Sequence, residues 1–139
     1  MSVWTIHPAL SAPAEKTRIG ASEIDRTEVN ISQFEAYVKR VRLTTTAELE
    51  GGGFEYTAGW TRRPGWTWAA PYGRPGSSSE PVVHVSWMEA QEYCSSVGGR
   101  LPTFSEWRQA AYTEMRDAPT DGFIRVGLTP IRSAMHRMA

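Results

Sequence analysis

Apolar residues fall at Phe34, Tyr37, Val38 and Val41, the i, i+3, i+4, i+7 spacing that lines one face of a helix. Asn30 stands just before this stripe and Gln33 three residues on, the spacing of a reciprocal N-terminal cap. The pattern predicts a helix from Ile31 to Arg42 with its stripe in the core. A longer ordered stretch runs from Pro81 to Tyr112, "PVVHVSWMEAQEYCSSVGGRLPTFSEWRQAAY". Its opening residues predict a strand at 82–85. Ser86 and Glu89 repeat the capping spacing, and Trp87, Ala90, Cys94 and Val97 then occupy neighbouring turns. Gly98 or Gly99 supplies the left-handed stop, giving a helix over Trp87–Val97. Thr103 and Glu106, straight after Pro102, form a third cap. Phe104, Trp107 and Ala111 line the helix it starts, Phe104–Met115. Three local signals of one kind agree with the apolar pattern behind them, which is the consistency a folding sequence shows.

Elsewhere the pattern is weaker. Residues 22–29 read as extended, with Ile24 between polar neighbours and Val29 closing the run. Residues 1–17, broken by Pro8 and Pro13, read as a loosely ordered lead-in to a domain spanning 18–126. "TTTAELEGGGF" ends the first helix and turns at Gly51, Gly52 and Gly53. Residues 54–80 read as irregular loop with short strands, too aromatic for a disordered linker. Trp60, Trp66 and Trp68 stand there beside Arg62 and Arg63. Stacked aromatics next to arginine suit a nucleic-acid or glycan platform; packing beneath a long loop is the reading that fits the charge balance better. The elements together predict an α+β domain.

Composition narrows the function classes. The chain has 139 residues, with 15 Lys plus Arg against 15 Asp plus Glu. That balance argues against a nucleic-acid or membrane-surface role carried by net charge. No apolar run is long enough for a bilayer, and the first residues lack the basic and apolar regions of a secretory signal. The single cysteine, Cys94, cannot close an internal disulfide, so a reducing cytoplasm is the expected compartment. Its place on an apolar helix side predicts a packed thiol. His84 reads as a structural strand residue. Asp25, Glu28, Glu48 and Glu50 show no spacing that demands a carboxylate pair, and no phosphate loop or nucleophile elbow is present.

The order of the pieces, however, is specific. "EIDRTEVNISQFEAYV", "TTTAELEGG", "GWTWAAPYG" and the Pro81–Tyr112 stretch resemble, in that order, the formylglycine-generating enzyme or sulfatase-modifying factor family. That family's pattern is approximately E-V-T-N-x-x-F, T-x-A-E, W-x-x-P-x-G, P-V-x-x-V-S-W-x-D-A-x-x-Y-C, then G-x-R-L-P-T-E-A-E-W-E-x-A-A. The resemblance covers residues 23–112, and Glu28, Phe34, Ser86, Trp87, Ala90, Tyr93, Cys94, Arg100, Leu101, Pro102, Thr103, Glu106 and Trp107 carry it. Glu89 stands where Asp is usual, Gly99 where Lys is common, and Phe104–Ser105 where the pattern has Glu-Ala.

The resemblance implies a C-type-lectin-like fold: a small antiparallel sheet, two to three helices and much loop, here truncated. In complete members a pair of cysteines in the C-terminal half binds copper, uses oxygen and converts a cysteine of a sulfatase-type polypeptide to formylglycine. Calcium ligands also lie in that half. Cys94 aligns with a structural helix cysteine, so no catalytic, cofactor-binding or metal residue carries over to this chain. The resemblance therefore implies an incomplete family member, inactive alone; a non-catalytic module binding peptide or glycan is the alternative. Neither reading brings a nucleic-acid or membrane partner, and neither sets an oligomeric state. The tail, residues 127–139, matches no family motif. Read in another frame, its codons can encode Tyr-Pro-Val-Gly-Asp-Ala-Pro-Asp-Gly, close to the family's Tyr-Pro-x-Gly-Asp. That points to a frameshift near Gly127–Thr129.

Overall fold

Asn30 is held extended (φ −94°, ψ 167°), which aims its side chain at the helix it opens. Gln33 N–H donates to Asn30 Oδ1 (2.9 Å) and Asn30 N–H donates to Gln33 Oε1 (3.0 Å). Helix α1, Ile31–Val41, follows and ends where Arg42 turns left-handed (φ 57°). The computed structural model describes residues 15–112; the lead-in before Glu15, the end of the last expected helix at Met115 and the tail at 127–139 lie outside them.

The chain enters through β1 (Lys16–Ile19) and returns through β2 (Ser22–Asp25), an antiparallel pair with Lys16 opposite Asp25. Gly20, at φ 60°, makes the turn between them. The strand expected over 22–29 is thus shorter, because beyond Asp25 the backbone leaves the ladder. Val29 O accepts from Val82 N–H (2.9 Å) and Ile31 N–H donates to Glu80 O (2.9 Å). After α1 comes α2 (Thr46–Leu49), where the sequence suggested only a turn. Glu48 carries its cap: the carboxylate accepts from Thr45 N–H (2.8 Å) and Thr45 Oγ1 (2.7 Å). The hairpin β3 (Gly52–Tyr56) and β4 (Trp60–Pro64) follows. It forms a second two-stranded antiparallel sheet with Tyr56 opposite Trp60.

Residues 82–85 do not form the expected strand. Only Pro81 bridges to Asn30. His84 adopts a left-handed conformation (φ 57°), which breaks the alternation a strand requires. Its ring instead fills the space over Gly53, where a Cβ would overlap it. Nε2 stands 3.0 Å from Pro71 O; a carbonyl only accepts, so Nε2 carries the proton. Helix α3 (Trp87–Ser96) and helix α4 (Phe104–Tyr112) complete the described chain. Past α3, Gly98 is left-handed (φ 78°), and Gly99 N–H reaches Cys94 O (2.8 Å). α1 packs on α3, and α4 lies against β1.

The architecture is α+β, with small antiparallel sheets and helices around one aromatic core. Phe34 is its centre, 5.7 Å from Tyr37, 5.6 Å from Trp68 and 5.7 Å from Tyr93, ring centroid to centroid. Tyr37 and Tyr93 meet edge to face at 5.5 Å. Such offset pairs add to the burial of the rings themselves. Val29, Ile31, Val82, Ala90 and Cys94 close around them.

Candidate functional site

The motif residues separate into a core group, a polar group and one outlier. Phe34, Ala90, Tyr93 and Cys94 meet in the core, with Phe34 and Cys94 0% exposed. Leu101 packs against that core from outside. Ser86 caps α3: Glu89 N–H reaches Ser86 Oγ at 3.3 Å and Ser86 N–H reaches Glu89 Oε2 at 2.6 Å. Glu89 does more than the spacing predicts. Its other oxygen accepts from Thr46 N–H (2.6 Å) and Thr46 Oγ1 (2.9 Å). One buried carboxylate therefore joins the N-termini of α2 and α3. Burial pushes its pKa up, but the hydrogen bonds from Ser86 and Thr46 outweigh it and hold the group below the ordinary carboxylate value.

Glu106 organises the polar group. Arg100 forks onto it with contacts of 2.8 and 2.6 Å, Thr103 N–H donates at 2.8 Å, and Ser22 Oγ donates from β2 at 3.1 Å. The Arg100 guanidinium first, then the Thr103 donors, hold Glu106 far below the usual range. Both perturbed carboxylates are thus occupied in structural capping, and neither faces a cavity as a free acid or base. Sequence reading found Glu89 and Glu106 as caps. It missed Thr46 and Ser22 as their partners, because these bonds join residues 43 and 84 positions apart, and because α2 is too short to show periodicity. The spacing of Thr45 and Glu48 was the available signal.

The outlier is Trp87, 65% exposed although it belongs to the motif. Phe104, expected to line its helix, is 80% exposed at the start of α4. Pro102 and Trp107 are half-buried, and Ala111's side chain lies outside the described residues. Half-buried Glu28 lines a cleft of about 400 Å³ with Tyr72, Arg74 and Glu80. A wider groove of about 870 Å³ lies between the end of α1 and α3, lined by Tyr37, Val41, Leu43 and Met88. Of the three loop tryptophans, only Trp68 joins the core. Trp66 is half-buried against Tyr72 and His84 (5.4 and 5.5 Å), and Trp60 is 70% exposed against Tyr56. The expectation of core packing is corrected for Trp60: it stands on a two-stranded ribbon that no further strand joins among the described residues.

Among the described residues no three His, Cys, Asp or Glu side chains gather as a metal site. No helix there is long and apolar enough to cross a membrane.

Residues 5–121 match the sulfatase-modifying factor enzyme 1-like domain, a wider span than the motifs alone mark. The chain is similar to the formylglycine-generating enzyme of Thermomonospora curvata, 38% identical over 121 residues, covering 71% of this chain and 40% of that protein. It is similar to the formylglycine-generating enzyme of Mus musculus, 31% identical over 118 residues, covering 69% of this chain and 32% of that protein. It is also similar to the inactive C-alpha-formylglycine-generating enzyme 2 of Mus musculus, 32% identical over 121 residues, covering 71% and 39%. The chain therefore spans well under half the length of these curated relatives. With most of its length matched in one continuous span, the chain belongs to the sulfatase-modifying factor, or formylglycine-generating enzyme, family.

Proposed function

We propose that this chain is a scaffold portion of a formylglycine-generating-type domain, with a C-type-lectin-like arrangement, and that alone it oxidises no substrate. Similarity by itself does not decide activity, since the mouse relatives with active and inactive names are 31% and 32% identical to it. The reading rests on chemistry instead. A Cu(I) centre of the kind the family resemblance implies needs soft thiolate ligands able to reach the ion. The chain has one cysteine, and Cys94 is 0% exposed within the Phe34–Tyr93–Val82 core. The residues present do not fit such a centre. The buried position of Cys94 is the observation that carries the proposal. A sulfatase-type polypeptide is the partner we assign to the complete domain. The test is incubation of the chain with copper, oxygen and a Cys-x-Pro-x-Arg peptide. No formylglycine is expected; turnover that Cys94→Ser abolishes would overturn the proposal.

A second reading, a peptide- or glycan-binding module, is favoured by one feature. Phe54, Tyr56 and Trp60 share a face of the β3–β4 ribbon and are 46%, 56% and 70% exposed. The Arg62 guanidinium sits 4.9 Å from the Phe54 ring centre. Screening the chain against glycans and extended peptides, with loss on Trp60→Ala, would support this reading; no retained ligand would count against it.

A further inference from the structure

Burial separates the glutamates of this chain. Glu23, Glu35 and Glu55, each half-buried, sit in ion pairs with Arg18, Lys39 and Arg63. Glu89 and Glu106 hold the capping networks of α3 and α4. Glu28 is half-buried as well, yet among the described residues it has neither a hydrogen bond nor an ion pair. A carboxylate drawn partly out of water is ordinarily paired, so Glu28 is the exception. It lines the cleft of about 400 Å³, and Glu80 lines it too. One oxygen of Glu80 accepts from Ser77 N–H (3.1 Å). The other lies beside Gly76, a wall of the cleft, 3.1 Å from where a Cβ would stand. Exposed Arg74 lines the same cleft and forms an ion pair with neither carboxylate.

The rest of the cleft wall is apolar, from Pro71, Pro75, Pro81 and Val83. Backbone bonds fix its position: Val82 N–H donates to Val29 O (2.9 Å), Ile31 N–H to Glu80 O (2.9 Å) and Gly76 N–H to Ala69 O (3.0 Å). The cleft is therefore preformed, as ligand sites usually are. No third His, Cys, Asp or Glu side chain gathers with the two glutamates, so the donor set does not suit a bare metal ion. Apolar walls next to two carboxylates suit a cation carried on an aliphatic stem.

The geometry points to this cleft as a binding site for a basic side chain, lysine or arginine, presented by an extended polypeptide. The stem lies along the prolines and the charged head reaches Glu28 and Glu80. Arg74 favours a polypeptide over a free diamine, because a peptide carbonyl accepts from its guanidinium whereas a second ammonium is repelled. The site is separate from the aromatic face of the β3–β4 ribbon, and it does not depend on the scaffold reading.

The test titrates the full chain with the blocked tripeptide acetyl-Gly-Arg-Gly-amide and follows backbone amide shifts by NMR. Saturable shifts are expected at residues 28–30, 72–76 and 80–83, with affinity falling as salt rises. Glu28→Gln should weaken binding about tenfold, the factor one charge-assisted hydrogen bond carries. Arg74→Gln removes a like charge and should tighten binding about twofold, the scale of one exposed charge interaction. Misfolding cannot tighten binding, so the opposite signs of the two variants separate charge from loss of structure. The glutamine tripeptide should leave the cleft amides unmoved, and putrescine should bind more weakly than the arginine tripeptide. Cleft amides unmoved by the arginine tripeptide, equal shifts with the glutamine tripeptide, unchanged affinity in Glu28→Gln or weaker binding by Arg74→Gln would each overturn the site. Putrescine binding as tightly as the arginine tripeptide overturns the assignment to a polypeptide.

Discussion

Replacing Glu89 by Gln changes one buried atom from acceptor to donor and leaves shape and volume nearly intact. In the native chain Oε2 accepts from Ser86 N–H at 2.6 Å, and Oε1 accepts from Thr46 N–H at 2.6 Å and Thr46 Oγ1 at 2.9 Å. A Gln has one acceptor oxygen, so its NH2 must face one of these N–H groups. Thr46 is exposed, and water can reach its N–H once the carboxylate oxygen is gone. The amide should therefore keep its oxygen on Ser86 and turn its NH2 toward Thr46. The loss is one charge-assisted hydrogen bond with partial rescue by water, about 1.5 kcal/mol. Glu89→Ala removes all three bonds at once; the Thr46 hydroxyl can turn to water, so the two backbone caps set the loss at about 3 kcal/mol. At roughly 4 °C per kcal/mol for a chain of this size, the melting temperature should fall ~6 °C for Gln and ~12 °C for Ala.

The pH dependence has a definite sign. The folded-state pKa of Glu89 is lowered, so the unfolded glutamate takes up its proton first. Its contribution is present above the unfolded value of roughly 4.3 and is lost as pH falls through the lower folded value. The difference between wild type and Gln should thus be constant near neutrality and shrink in acid. Thermal melts from pH 3 to 8 measure it. A Gln variant within about 0.5 kcal/mol of wild type at pH 7, the range of neutral surface changes, refutes the double-cap account.

Two further perturbations probe other joints. Gly53→Ala would drive a Cβ into the His84 ring and should cost about 2 kcal/mol, as overpacking does; in a double-mutant cycle His84→Ala should relieve that clash, and strictly additive losses would contradict it. Glu106→Ala detaches Ser22 and Arg100 from α4, so amide exchange in the β1–β2 hairpin should accelerate while the amides of α1 are unchanged; equal hairpin protection in the variant and the wild type would show that the hairpin does not depend on this carboxylate.

Local chemistry made much of the fold legible. The capping pairs at Asn30, Ser86 and Thr103 fixed three helix starts, because each is a short-range signal needing no tertiary context. The capping spacing of Thr45 and Glu48 was also in the sequence, but a four-residue helix has too few positions to show an apolar stripe. The failure at 82–85 has another cause. Alternation of valines around His84 looks like a strand, yet packing of the imidazole between Gly53 and Trp66 holds its backbone left-handed, a tertiary effect no local pattern carries. The core environments of Phe34 and Cys94 were legible from the apolar faces they occupy, while that of Trp87 was not. Cys94 and Trp87 belong to the same motif and helix; the expectation of a packed thiol holds, and the exposure of the indole is what the structure adds. The β3–β4 ribbon was legible only as short strands within an irregular stretch, because its exposed aromatics and arginines obscure the alternation that would set their bounds.

The central claim is that Cys94 is a packing residue and that this chain carries no copper centre of its own. Competition titration of the intact chain with Cu(I) and a chelator tests it most directly, with Cys94→Ala as the reference. The account predicts identical titrations for the two proteins and a thiol that reacts with an aromatic disulfide reagent only on unfolding. Stoichiometric Cu(I) binding by the folded chain that disappears in Cys94→Ala would contradict it.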